Sequence, residues 1–303
     1  MFNAERLVYL DDSFTQGKGS DPYLVAELGG TSIQTEIIKG SKTSAAFYET
    51  LYVTMIYPTF LDNLNLYLKD CDWGKKDEFF GSLNLKIGSI SQGKYKEPRW
   101  HYFYGGWDDA SEKDIVESMN KHPEIASRFK GAVFLSIEMI DAASQGNFKE
   151  KMQAFQIIRP IAPNRFRLCA EIYAVHNLHY EDEGENGAHV ISIDWGGKCQ
   201  LSRKVNLNCG MLEFYQYLEL EEDFSSLELA ELPNIVLTVM RVSKSQHVSY
   251  CRIKPTEYLS SEIIVDKYLM MNIDSAVSKL QDDGAGILHI KLGVNRSDRW
   301  NYE

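Results

Sequence analysis
The chain has 303 residues, 44% hydrophobic and 12% aromatic, enough apolar material for one large globular domain or two of ordinary size, with two the better expectation. Its 32 basic and 43 acidic residues leave a net charge of -11, so the unaided surface should repel nucleic acid and anionic membrane, and binding to phosphate needs a bridge. Five scattered cysteines (Cys71, Cys169, Cys199, Cys209 and Cys251), with no CxxC, argue against a disulfide framework or a zinc site and fit a reducing compartment.

The N-terminal "MFNAERLVYLDDSF" carries Glu5, Asp11 and Asp12 where a signal peptide needs its apolar core. No apolar run approaches the roughly 18 residues of a membrane-spanning helix. Short alternating runs follow in order: "YLVAELGG", "FYETLYVTM", "LNLYL", "SLNLKI", "RWHYFY" and "AVFLSIEMI". Period-two alternation punctuated by Gly, Asn and Asp predicts an antiparallel β-sandwich. One helical stretch interrupts it at about 108–129, where Asp109 or Ser111 can cap a helix burying Ile115, Val116 and Met119, and Pro123 can open a second short helix.

Residues 142–163 read as a linker, rich in polar residues and ending in two prolines. Beyond it come "RLCAEIYAV", "HVISIDWGG", "EFYQYLEL", "NIVLTVMRV", "SYCRI" and "GILHIKLGV", which repeat the first half in outline. "YLVAELGG" aligns with "VISIDWGG", and "GAVFLSIEMI" with "GILHIKLGV". Since the second copy ends the chain, each such last strand should close its own sandwich. The expected domains are 1–141 and 164–303.

Acids are shared almost evenly between the halves, but the first copy concentrates them in two inter-strand loops and the second does not. "DCDWGKKDEFFG" places Asp70, Asp72, Asp77 and Glu78 in nine positions after a strand, and "LDDSFTQGKGSDPY" places Asp11, Asp12 and Asp21 before another. Like charges this close raise one another's pKa unless a cation or donor neutralises them. Loops at one end of an antiparallel sandwich lie side by side, so five or six carboxylates could converge, a donor set suited to calcium. The second copy has Ala188 where Asp21 stands, and "MRVSKSQHVSYCRI" has no acid; Glu181, Asp182, Glu183 and Glu185 lack a partner loop. The close pair His176 and His179 has no third ligand type nearby.

"SDPYLVAELGG" followed by "DCDWGKKDEFFG" resembles the C2 domain, a calcium-dependent phospholipid-binding β-sandwich. The resemblance implies an all-β fold with small helical insertions: two eight-stranded antiparallel C2-type sandwiches in tandem, of type II topology. It places Asp12 (or Asp11), Asp21, Asp70, Asp72 and Glu78 on the family's five ligand positions, with Asp77 adjacent and Glu78 departing from the usual Asp. It implies two to three Ca2+ ions in the first domain only, and an anionic phospholipid membrane as partner, met by Phe14, Trp73, Lys75 and Lys76 at the loop tips.

The tandem arrangement and its linker resemble the ferlin and double C2 domain families. This implies a cytoplasmic protein, peripheral at membranes, acting in vesicle trafficking, regulated exocytosis and membrane fusion, with protein partners from the fusion machinery and no nucleic acid. The abrupt start fits a fragment of a larger membrane-anchored protein. A calcium-independent protein-protein interaction scaffold is the alternative. No nucleophile and base stand at recognisable spacing, so no enzyme is expected.

Overall fold
In chain order the first half forms β1 (Asn3–Glu5), β2 (Pro22–Leu28), β3 (Thr31–Gln34), β4 (Ser44–Ala46), β5 (Asn63–Asp70), β6 (Glu78–Lys86), α1 (Ile87–Ser91), β7 (Arg99–Gly105), α2 (Lys113–Lys121) and β8 (Arg128–Leu135). The second forms β9 (Asn164–Leu178), β10 (Ala188–Trp195), β11 (Lys198–Leu201), β12 (Val205–Asn206), β13 (Leu212–Phe224), β14 (Ile235–Arg241), β15 (Gln246–Ile253), β16 (Val265–Met270), β17 (Asn272–Ile273) and β18 (Ala285–Arg296). This computed structural model describes residues 3–7, 19–72, 74, 76–107, 113–141, 162–178, 187–226, 229–244, 246–258, 265–273 and 285–296. Among the described residues no helix is long and apolar enough to cross a membrane.

Two compact units result. One comprises Met1–Tyr104, Lys121–Pro123 and Lys130–Ile161; the other comprises Gly105–Asn120, Glu124–Phe129 and Ala162–Glu303. Within the first unit the strand order is β3-β2-β5-β6 and then β7-β8-β1-β4, the two halves meeting through the single pair Ser82 and Tyr104. Gly81 beside that pair is needed for the close approach, because a Cβ there would stand 2.7 Å from the Tyr104 carbonyl oxygen. Alternate residues Leu66 and Leu68, with Leu24, Phe80, Phe103 and Val133, fill the core. The second unit packs β11-β10-β14-β15-β17 and the short β12 against β13-β9-β18-β16, around a core that includes Trp195, Phe214 and Leu288.

The fold is all-β and antiparallel, as the alternation predicts. In each half the last strand pairs with the first of the same half: β8 with β1 (Asn3 opposite Phe134), and β18 with β9 (Ala285 opposite Leu178). The repeat extends to individual hydrogen bonds. Gly29–Gly30 and Gly196–Gly197 all have positive φ and close two-residue hairpins, the turn whose twist matches antiparallel strands. Six residues after the first glycine of each turn, a hydroxyl accepts a buried amide: Leu24 N–H donates to Thr35 Oγ1 at 3.0 Å, and Ile191 N–H to Ser202 Oγ at 2.8 Å.

Some elements differ from the sequence reading. In "FYETLYVTM" alternate side chains are turned inward, but no described strand pairs with residues 47–56. Pro123 opens a turn and not a second helix, since the chain must reverse within a few residues to enter β8. In α2, Met119 is fully buried while Ile115 and Val116 are half-buried; Asp109 and Ser111 lie outside the described residues. The one-turn helix α1, burying Ile87 and Ile90, was not foreseen because five residues are too few to show a helical period. Among its described residues the second unit shows ten strand segments, two of them only two residues long.

Candidate functional site
Strand pairing brings three of the predicted acids to one end of the first unit. Asp21 immediately precedes β2, Asp70 ends β5 and Glu78 begins β6; Asp70 stands opposite both Pro22 and Glu78. Asp70 is buried, and its Oδ1 accepts the Asp21 N–H at 2.6 Å. Asp21 Oδ1 in turn accepts the Gly40 N–H at 2.7 Å, and the Asp21 carbonyl accepts the Cys71 N–H at 3.1 Å. The Asp77 carboxylate takes the Tyr23 hydroxyl at 2.5 Å on Oδ2 and the Asp72 N–H at 3.3 Å on Oδ1.

A third loop therefore joins the two that the sequence identified. The residues between β3 and β4 reach this end through the Ser20–Ser41 bridge, and the exposed Lys39 and Lys42 flank the Gly40–Ser41 pair that binds there. Nothing in local periodicity signals that placement, because it depends on a backbone pairing between segments some twenty residues apart in sequence.

Electrostatically the acids act together. Burial pushes the Cys71 thiol up, and the charges of Asp77, Asp21, Asp70 and Asp72 push it further. The Tyr23 hydroxyl is also raised, first by burial, then by its hydrogen bond to Asp77 and the Asp77 charge. Four carboxylates thus impose one negative potential on a single thiol. Among the described residues no three His, Cys, Asp or Glu stand close enough to hold a metal ion. Asp11, Asp12, Phe14, Trp73 and Lys75 lie outside the described residues; Lys76 and Glu78 are exposed. The donor set is all carboxylate oxygen, the chemistry that hard divalent cations take.

At the same register of the second unit the charge is inverted. His189 stands opposite Arg241 just as Pro22 stands opposite Asp70, and Ala188 takes the place of Asp21. Arg241 is buried against Gly187, where a Cβ would lie 2.6 Å from its Nε. The loop that follows is a single tight turn, Val242–Lys244, without an acid. Sequence reading notes the missing acids but not that an arginine replaces Asp70, since the alignment of these strands follows from their pairing.

The second unit also holds a polar cluster with no sequence signal. Trp107 packs on His247 with ring centroids 3.7 Å apart, and Arg128 lies 4.4 Å from the Trp107 ring. Burial pushes the Asp194 carboxyl up to about 6, against the Gly197 amide, Arg128 and the Phe129 amide. Burial pulls His247 down to about 3, with Arg128 adding to the effect. From 3.8 to about 6, native Asp194 holds a proton that the unfolded chain has released, so its contribution to stability falls as pH rises. His247 stays neutral where the unfolded chain is protonated, so its contribution rises with pH. The slopes oppose: in thermal melts between about pH 4 and pH 6, Asp194→Asn should make stability rise more steeply with pH than wild type, and His247→Gln should tilt it the other way.

Residues 2–102 match the C2 domain, so the chain contains a C2 domain in its first part. No curated protein matches the chain. Among solved structures, the calcium-bound pair of C2 domains, A and B, of extended synaptotagmin 2 is similar at 16% identity, covering 97% of this chain and 94% of that one with a TM-score of 0.35. A second structure of the same two domains has 17% identity, covers 97% and 88%, and has a TM-score of 0.34. The A-type C2 domain of plant extended synaptotagmin 1 has 13% identity and covers 46% of this chain and 98% of that one, with a TM-score of 0.34. These likenesses concern the fold alone.

Proposed function
We propose that a first domain, 1–141, is a calcium-dependent phospholipid-binding module and a second, 164–303, a calcium-independent structural or partner-binding module, with 142–163 as the linker. The observation that carries this is the pairing that brings Asp21, Asp70 and Glu78 to one end of the unit, where Asp70 Oδ1 accepts the Asp21 N–H and Asp77 Oδ1 the Asp72 N–H, in a part of the chain that matches the C2 domain. Those residues, with Asp11 and Asp12 from the preceding loop, would hold two to three Ca2+ ions. The arginine at the Asp70 position of the second unit supports restricting calcium to the first.

Bound calcium supplies positive charge that reverses the sign of the tip. Near an anionic leaflet each such charge contributes about 1 kcal/mol. Calcium and lipid then strengthen each other's binding by one shared coupling energy. Lys76 is exposed beside Asp77 and faces the same headgroups in this reading. The resemblance to ferlin and double C2 proteins supports a peripheral, cytoplasmic role in vesicle trafficking, regulated exocytosis and membrane fusion, by binding and not by catalysis.

Calorimetry with calcium, joined to co-sedimentation with phosphatidylserine vesicles, tests the proposal. Heat of calcium binding and calcium-dependent pelleting are expected; no heat in wild type sinks it. The hydrogen bonds that already occupy both Asp77 oxygens favour the alternative, a calcium-independent protein-binding scaffold, and that result would establish it. Phe14→Ala with Trp73→Ala should weaken pelleting by about tenfold if these aromatics enter the headgroup region, where Trp is favoured. Unchanged pelleting would leave the binding to electrostatics alone.

A further inference from the structure
In the second unit the sheet β11-β10-β14-β15 turns one face to the core, where Ile191, Ile193, Leu237 and Val239 are buried. Side chains alternate along a strand, so Ser192 and Asp194 of β10, Val236 and Thr238 of β14 and Tyr250 of β15 point to the opposite face. The register agrees: Thr238 stands opposite both Ser192 and Tyr250, and Val236 opposite Asp194. An antiparallel sheet commonly leaves that outer face to water. Here all five residues are buried, and so is His247, which stands opposite Met240 on the same face.

The cover comes from the first half of the sequence. The Tyr250 hydroxyl donates to the Ile125 carbonyl at 3.0 Å, and Arg252 Nη1 to the Ala126 carbonyl at 3.4 Å. The Phe129 N–H bonds the Asp194 carboxylate, and the Phe129 ring lies against Gly197, where a Cβ would stand 3.4 Å from Cδ1. Trp107 packs on the His247 ring at 3.7 Å, with Arg128 at 4.4 Å from the same indole. Ala126, Ser127 and Phe129 are themselves buried. The covering residues are also tied to one another. Ser127 N–H donates to the Gly105 carbonyl at 3.1 Å, and Gly106 N–H to Asn120 Oδ1 at 2.8 Å. Helix α2 packs Val116 and Met119 on Gly106, where a Cβ would stand 3.3 Å from each.

We infer that the outer face of β10, β14 and β15 is a binding surface whose ligand is residues 105–107 and 124–129 of the same chain, and that this clasp, not the linker 142–163, holds the two halves of the sequence together. The surface is specific in its chemistry. Two donors, Tyr250 and Arg252, meet consecutive backbone carbonyls, and one acceptor, Asp194, meets a backbone amide. Apolar Val236 and the His247 ring complete it, the latter under a flat aromatic. Cut out as 164–303, the second half would leave these buried groups to water. A lipid or protein bound by the second half therefore uses another face.

The test uses the full chain with a protease site introduced within residues 142–161 and cut under native conditions. A calcium chelator is present throughout, so the outcome is separate from that of the calcium reading. The two pieces are expected to sediment as one species and to come apart in urea. Trp107→Ala should raise their dissociation constant about a hundredfold. Tyr250→Phe, which removes only the hydroxyl that reaches Ile125, should raise it about fivefold and leave the circular dichroism of the uncut chain unchanged. Ile125→Ser is the control, because that side chain is exposed and its bond to Tyr250 uses the carbonyl. The proposal falls if the wild-type pieces separate once cut. It falls equally if they stay together and neither Trp107→Ala nor Tyr250→Phe changes the dissociation constant.

Discussion

Asp70→Asn combined with Asp72→Asn is expected to abolish calcium-dependent pelleting on phosphatidylserine vesicles and the heat of calcium binding, while leaving the fold intact. The side-chain amide introduced at position 70 retains an oxygen that can accept the Asp21 N–H, so the link between the two loops survives the substitution. What is lost is two negative charges of the four that act on Cys71. Removing like charges from one end of a sandwich relieves repulsion, so without calcium the variant should melt at or slightly above the wild-type temperature. A variant that pelleted with calcium as well as wild type would remove these residues from the site. The same pair of measurements separates a lost site from a lost fold, which loss of binding alone would not.

Trp195→Ala is expected to cost the second unit about 3 to 5 kcal/mol, the range for truncating a fully buried large aromatic. Trp195 is 0% exposed, and its ring packs 4.9 Å from that of Phe224. Its Nε1–H donates to the Pro233 carbonyl at 3.1 Å, so the substitution also strands an acceptor inside the protein. Urea denaturation followed by circular dichroism measures the loss. Leu201→Ala, at a large apolar residue that is exposed on β11, is the control and should change stability by no more than about 0.5 kcal/mol. A loss near that of the control would mean that the Trp195 pocket collapses without cost.

These expectations draw on different layers of information. The identity of the strands was legible wherever alternation coincided with a ladder, as in "LNLYL" and "HVISIDW". It misled at "FYETLYVTM", whose alternation is real and buries Leu51 and Val53, but whose described neighbours offer no strand to pair with. Alternation records which side chains face inward, and pairing depends on what another part of the chain supplies. Likewise Asp70, Asp72 and Asp77 were legible as an acidic loop. The Tyr23 hydroxyl that occupies Asp77 was not, because it is 54 positions away.

The amino-acid sequence by itself determined the all-β class, the two Gly-Gly hairpins, the internal repeat and the different placement of acids in its two copies. Each of these follows from short-range physics: a period of two, a φ that glycine adopts without strain, or like charges close along the chain. Tertiary structure alone decided that a third loop joins the acidic end, that Arg241 stands where Asp70 would, and that residues 105–120 and 124–129 group with the second unit. The physical reason is common to all three: they depend on strand register and packing between distant segments, which no local pattern of residue types encodes.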